Sequence, residues 1–182
     1  FGCCTMEIFI VRHTTPDIDK GICYGQSDVS LAATFPEEAK QVLRQLPKKP
    51  IVYSSPSKRC VALAQQIPYQ KMVQSADLME MNFGDWELKP WSDIPEETLN
   101  PWMEDFVNYK VPNGESMGIL ADRVNHWFEH LRTTNDETVV IVTHAGPIRV
   151  LLSAIHQTPL EEAFERYQVA YGEVFIVRED AQ

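Results

Sequence analysis

The stretch IFIVRHTTP, Ile8 to Pro16, ends a run of apolar residues on an arginine and a histidine. A strand that is apolar on both faces is buried on both faces, as in parallel sheets, so the charged pair marks the point where the chain leaves the core. Met6 to Val11 reads as that strand, and Ile51 to Tyr53 and Thr138 to Thr143 (TVVIVT) repeat its β-branched signature. Between the first two, Phe35, Ala39, Val42, Leu43 and Leu46 share one helical face, opened by Thr34 and Glu37 as a capping box and closed by Pro47 and Pro50. Ser55 and Pro56 predict the cap and first turn of a second helix with Cys60, Leu63, Ala64 and Ile67 on its apolar face, which puts Arg59 near a helix N-terminus. A third helix over about 119–131 carries Leu120, Val124, Trp127, Phe128 and Leu131, and a fourth after TVVIVT carries Ile148, Leu151, Leu152 and Ile155. The tail VAYGEVFIV predicts a strand pair or one bulged strand at a sheet edge. Strands alternating with helices predict an α/β fold, a three-layer α/β/α sandwich on a mostly parallel sheet with an antiparallel edge strand.

At 182 residues the chain suits one domain, 1–182, with a sizeable core. A net charge of -10 excludes a general nucleic-acid or membrane-surface binder, which needs a basic stripe, so any phosphate site is a local exception. No apolar run reaches the length of a membrane span and the N-terminus lacks a secretory signal layout, so a cytoplasmic protein is expected. Cys3, Cys4, Cys23 and Cys60 have neither metal-finger spacing nor companion histidines, and are read as reduced thiols with no structural metal. FGCCT, before Met6, is read as a leader or remnant without function.

The segment from about 80 to 117 differs in character. It holds Trp86, Trp91 and Trp102, four prolines, and nine acidic residues against Lys89 and Lys110. It is expected to be a partly helical cap inserted over one sheet edge, because long irregular segments in compact domains are usually functional. Its tryptophans are expected to form the cap's own small core, with stacking on a planar part of a ligand as a second role.

Sheets of this class bind ligands beyond the carboxyl ends of their strands. The first strand delivers Arg12 and His13 there, the second is followed by Ser54, Ser55 and Arg59, and TVVIVT ends at His144. Two histidines and two arginines at one mouth suit a phosphate. A neutral imidazole is a nucleophile toward phosphorus, and paired guanidiniums hold the non-bridging oxygens by forked, charge-assisted bonds. A second imidazole, expected to be protonated, can donate to the same oxygens.

The motifs VRHTTP, YSSPSKRC, LMEMNFGDWE, PNGES and VTHAGPIR resemble, in order and spacing over nearly the whole chain, those of the histidine phosphatase superfamily, the phosphoglycerate-mutase-like proteins. Within it, the short length and EMNFGDWE are most similar to α-ribazole phosphatases of cobalamin biosynthesis. The resemblance implies a phosphoric monoester hydrolase that needs no metal or other cofactor, with His13 as the nucleophile that becomes phosphohistidine. It implies that Arg12, Arg59 and His144 bind the phosphoryl group and that Glu80 protonates the leaving oxygen. The glycine usual after the Arg-His pair is Thr14 here, whose hydroxyl could donate to phosphate.

Standing alone, each of these residues has a blander reading: Arg12 as a strand-end charge, His144 as a satisfied core histidine, Glu80 as a solvated carboxylate. Their joint placement at three strand ends, with spacing that resembles the family's, overturns those readings. His126, His130 and His156 lie in helical stretches with no third ligand near, and are read as structural. The expected partner is a small phosphate monoester with an apolar remainder, α-ribazole 5′-phosphate by resemblance, since a second phosphate would meet an acidic cap. A broad-specificity phosphatase, a phosphoglycerate-mutase-type phosphotransferase and a non-catalytic binder of phosphorylated ligands are the alternatives. Oligomeric state is left open, a dimer being one option.

Overall fold

The computed structural model describes residues 5–180. Five strands form one sheet: β1 (Thr5–Arg12), β2 (Ile51–Ser54), β3 (Lys71–Gln74), β4 (Thr138–Thr143) and β5 (Val174–Asp180). Their order is β3-β2-β4-β1-β5, with β5 antiparallel to β1 and every other pairing parallel. The helices are α1 (Phe35–Leu43), α2 (Lys58–Ala64), α3 (Glu96–Glu104), α4 (Met117–Arg132), α5 (Ala145–Ile155) and the single turn α6 (Ala163–Arg166).

The two-residue period of a strand divides the core between two faces. Ile8, Ile10, Val139 and Ile141 pack with Leu120, Val124 and Phe128 of α4 and Ile148 and Leu151 of α5. Phe9, Val11, Val140 and Val142 pack on the other side with Ala39 and Val42 of α1 and Cys60 and Leu63 of α2. The result is the expected three-layer sandwich with a mostly parallel sheet. No helix among the described residues is long and apolar enough to cross a membrane.

Local differences from the sequence expectations have physical causes. The capping box at Thr34 does not form with Glu37; the Thr34 hydroxyl donates to Glu38 Oε2 at 2.6 Å instead. Glu38 is held on the other side by Thr15, whose backbone N–H and hydroxyl donate to Oε1 at 3.1 and 2.9 Å, so the first turn of α1 is tied to the loop behind His13. The second helix starts at Lys58 with Ser57 at its N-cap, two residues past the predicted Ser55. Ser55 is committed elsewhere, 2.8 Å from His144 Nε2. β3 was invisible in the pattern because its apolar residues, Met72 and Val73, are only half-buried at a sheet edge. The tail is one regular strand, preceded by a turn in which Gly172, at φ +71, donates its N–H to the carbonyls of Arg12 and His13. Cys23 and Cys60 are buried free thiols, whereas Cys3 and Cys4 lie outside the described residues. Among the described residues no cluster of histidine, cysteine and carboxylate side chains is placed to hold a metal.

Candidate active site

The sheet register brings the predicted residues to one edge. Arg12 pairs with Thr143 across β1 and β4, and Ser54 pairs with Val142 across β2 and β4. His13, Ser55 and His144 are therefore the next residues out on three neighbouring strands. The imidazoles of His13 and His144 lie edge to face, 5.2 Å between centroids.

Arg59, on the first turn of α2, is 1% exposed and spans the space between them. Its Nε lies 3.4 Å from His13 Nε2 and its Nη2 3.3 Å from His144 Nδ1. It is anchored from behind by the carbonyl oxygens of Ser27 at 2.8 Å and Gly25 at 2.5 Å. Arg12 enters from the opposite side, donating to Val169 O at 2.6 Å and stacking on the Tyr171 ring at 4.0 Å.

The hydrogen bonds fix the tautomers. His13 Nδ1–H donates to Thr14 O at 2.8 Å, which leaves Nε2 as the lone-pair nitrogen facing the arginines. Burial first, then the Arg59 guanidinium, push the His13 pKa down to about 3, so the imidazole is neutral near pH 7. His144 Nδ1 faces a guanidinium that can only donate, so its Nε2 carries the hydrogen toward Ser55 Oγ. Burial, His13 and Arg59 hold the His144 pKa well below the usual range. This environment favours a neutral His144 rather than the expected protonated one, because a fully buried imidazole beside a guanidinium incurs both desolvation and like-charge repulsion on protonation. A dianion arriving between these groups would reverse the sign of that field.

Glu80 sits on the far side of the mouth. Its carboxylate accepts the Met81 N–H at 2.8 Å and the Gly146 N–H at 3.1 Å, the latter from the first turn of α5. A side chain at position 146 would strike this carboxyl group, which explains the glycine in HAGP. Arg123 secures the segment by donating to the carbonyls of Asp77, Met79 and Glu80 at 2.8, 2.7 and 2.9 Å, while paired with Glu115. That guanidinium is spent on structure and is not free for a second phosphate. Arg12, His13, Glu80 and Tyr171 share one open cleft.

Thr14 is fully buried, and among the described residues neither its hydroxyl nor Arg12 Nε has a hydrogen-bond partner. His126, His130 and His156 lie on α4 and at the end of α5. Sequence reasoning missed two supports. Ser55 orients His144, and Glu87 accepts the N–H groups of Gly25, Gln26 and Phe83 and the Ser27 hydroxyl at 2.8–3.1 Å. Glu87 therefore holds the very loop whose carbonyls anchor Arg59. The signal was its place at the end of the EMNFGDWE motif, although the loop it grips, some 60 residues earlier, showed no pattern.

The chain is similar to several known proteins. A curated relative, a putative phosphoserine phosphatase 2 of Hydrogenobacter thermophilus, is 28% identical over 164 residues, 85% of this chain and 81% of that one. The adenosylcobalamin/α-ribazole phosphatase of Escherichia coli K12 is 25% identical over 181 residues, 92% and 87% of the two chains. The solved structure of a putative α-ribazole-5′-P phosphatase from Escherichia coli K-12 superposes with a TM-score of 0.82 at 21% identity, covering 95% of this chain and 90% of that one. The fold is phosphoglycerate-mutase-like. The family model of the histidine phosphatase superfamily (branch 1) matches residues 8–182, and the chain belongs to that superfamily.

Proposed function

We propose that the protein is a phosphatase that hydrolyses a small phosphate monoester through a phosphohistidine at His13. The observation that carries this reading is the neutral Nε2 of His13, its lone pair beside the Arg59 guanidinium in a cleft that His13 shares with Arg12 and Glu80. In the first step Nε2 attacks phosphorus, a P–N bond forms as the P–O ester bond breaks, and Glu80 gives its proton to the leaving oxygen. Arg12, Arg59 and His144 offset the charge that spreads over the equatorial oxygens. In the second step the Glu80 carboxylate takes a proton from water, whose oxygen attacks phosphorus as the P–N bond breaks, releasing inorganic phosphate and restoring His13. None of these steps calls on a metal or cofactor.

The substrate we favour is α-ribazole 5′-phosphate. The acidic 80–117 segment, the engagement of Arg123 by Glu115 and the likeness to the Escherichia coli α-ribazole phosphatase support a monoester with an apolar remainder. The likeness to phosphoserine phosphatases favours a second reading, a small amino-acid or hydroxy-acid phosphate. The test is turnover of an aryl phosphate with a chelator present. Activity should persist in chelator, fall by about 10⁴-fold or more in His13→Ala, and pass through an acid-labile phosphoenzyme. Loss of activity on chelation, or survival of activity in His13→Ala, would overturn the mechanism. A panel of α-ribazole phosphate, 3-phosphoglycerate, O-phosphoserine, nucleotides and sugar phosphates, ranked by kcat/KM, tests the substrate; a lead by any other member sinks the α-ribazole assignment.

A further inference from the structure

Two tyrosines line the cleft of His13, and neither has a part in the mechanism above. Tyr24 lies in the connection between β1 and α1, and Tyr171 in the turn before β5; both share the cleft with Arg12, His13 and Glu80. Their hydroxyls meet at 2.8 Å. Each ring also faces one of the two arginines of the mouth: Tyr171 lies 4.0 Å from the Arg12 guanidinium, and Tyr24 lies 5.4 Å from that of Arg59. Tyr171 packs near His13 as well, with 5.8 Å between ring centroids.

Chain position gives the pair its meaning. Tyr24 immediately precedes Gly25, whose carbonyl, with that of Ser27, anchors Arg59. Tyr171 stands two residues past Val169, whose carbonyl anchors Arg12. Each tyrosine therefore belongs to the segment that holds the guanidinium its ring faces. Those segments have separate supports: Glu87 grips residues 25–27, whereas the turn at Tyr171 is tied to Arg12 and His13 through the Gly172 N–H. Among the described residues, the phenol pair is the one hydrogen bond between residues 24–27 and 169–171. Burial, then the bond to Tyr171, push the Tyr24 phenol pKa up, so that hydroxyl keeps its hydrogen near neutral pH. Tyr171 is 38% exposed, so water competes for the bond and its contribution to stability is small. What it supplies is geometry.

We propose that Tyr24 and Tyr171 form a clasp that fixes the spacing between the Arg12 and Arg59 guanidiniums, and so act as positioning residues for phosphoryl transfer. The inference rests on the phosphatase reading above. Two guanidiniums fit the equatorial oxygens of one phosphoryl group only at a set separation, so a strut between their supports favours the transition state more than the bound ester. The two hydroxyls act together or not at all, since each is the other's partner.

The test is a double-mutant cycle on Tyr24→Phe, Tyr171→Phe and the double variant, which keep both rings beside the arginines and remove only the hydroxyls. With an aryl phosphate, each single variant should lose about tenfold in kcat while KM changes by less than about twofold. The double variant should lose the same factor of about ten, not the product of about 100. Vanadate, whose five-coordinate adduct copies the geometry of the transferring group, should bind about tenfold more weakly to all three variants, and inorganic phosphate less than about threefold more weakly. Losses that multiply in the double variant, a loss confined to one tyrosine or to KM, or full activity in all three would overturn the clasp. Failure of the phosphatase reading shows separately: no ester is turned over, or turnover survives His13→Ala. In that case calorimetric affinities of vanadate for the unaltered protein and the three variants decide, equal losses supporting the clasp and multiplied or absent losses overturning it.

Discussion

The strand-end mouth around His13 and the 80–117 segment are built on opposite plans. At the mouth, polar groups are buried: His13, Thr14, Ser55, Arg59 and His144 are each at most 1% exposed. In the 80–117 segment, aromatic groups are left partly open, with Trp91 and Trp102 half-buried and stacked at 5.6 Å, and α3 has no buried residue at all. Dry polar groups held by rigid strand ends stabilise developing charge strongly, because no solvent must reorganise around them. Half-buried aromatic groups beside solvent have more room to adjust. The mouth is thus where a small change should cost most, and the 80–117 segment is where substitutions should be tolerated best.

The sharpest way to break that contrast is Arg59→Lys. The charge is kept, but a lysine cannot span His13, His144 and the two carbonyls with one ammonium. A fall in kcat/KM of about 10³-fold is expected, near the upper range for losing one preorganised donor. A loss below about tenfold would mean that charge alone, and not the fork, serves the mouth.

Acid tests the burial of the two imidazoles. His13 and His144 have folded pKa values below the unfolded one, so the unfolded chain binds more protons as pH falls beneath about 6.5. The stability contribution is intact above that value and is lost as pH drops toward about 3 for His13. Each histidine should remove about 1.4 kcal/mol per pH unit in that window. Urea unfolding at pH 7, 6 and 5 measures the slope. His144→Asn should roughly halve the histidine part of it, and saturating inorganic phosphate should flatten it, since the dianion favours the charged imidazoles.

How much of this was legible in the sequence follows the same division. Arg12, His13, Arg59 and His144 could be placed because each follows a strand whose β-branched run is unmistakable, and neighbouring parallel strands must end together. Glu80 was reached through the motif resemblance, since no strand or helix carries it. Ser55 was misread as a helix cap: a serine before a proline has the same local signature whether it caps a helix or orients a histidine. β3 and the Thr34 to Glu38 bond were missed because a half-buried edge strand is too short to show a period, and the choice between adjacent glutamates is made by Thr15, distant in sequence. Glu87 was quoted within a motif but given no task, because its partners lie in a loop that has no periodicity.

Glu87 joins the two regions, and Glu87→Gln tests whether the mouth depends on the cap's first turn. An amide oxygen can replace one carboxylate oxygen, but the amide nitrogen would face donors that previously had an acceptor. Destabilisation of about 2–3 kcal/mol is expected from the loss of charge-assisted bonds in a partly buried setting. Because Gly25 and Ser27 carbonyls anchor Arg59, kcat should also fall by about tenfold with a smaller change in KM. Stability loss with kcat unchanged would show that the loop is merely held, and that Arg59 keeps its place without it.

The smallest expected effect belongs to Thr14→Val, and it separates burial from function most cleanly. The two side chains have nearly the same shape, and the Thr14 hydroxyl has no partner among the described residues. Removing it relieves a desolvation cost without breaking a bond, so the free variant should melt at the same temperature or slightly higher. If that hydroxyl donates to a phosphoryl oxygen, the Ki of inorganic phosphate should rise by about tenfold, equivalent to about 1.4 kcal/mol. A variant that is both less stable and unchanged in phosphate affinity would make Thr14 an ordinary packing residue at the turn. A variant that is more stable and binds phosphate more weakly would show that the position otherwise given to glycine in the Arg-His motif serves the ligand through a side chain.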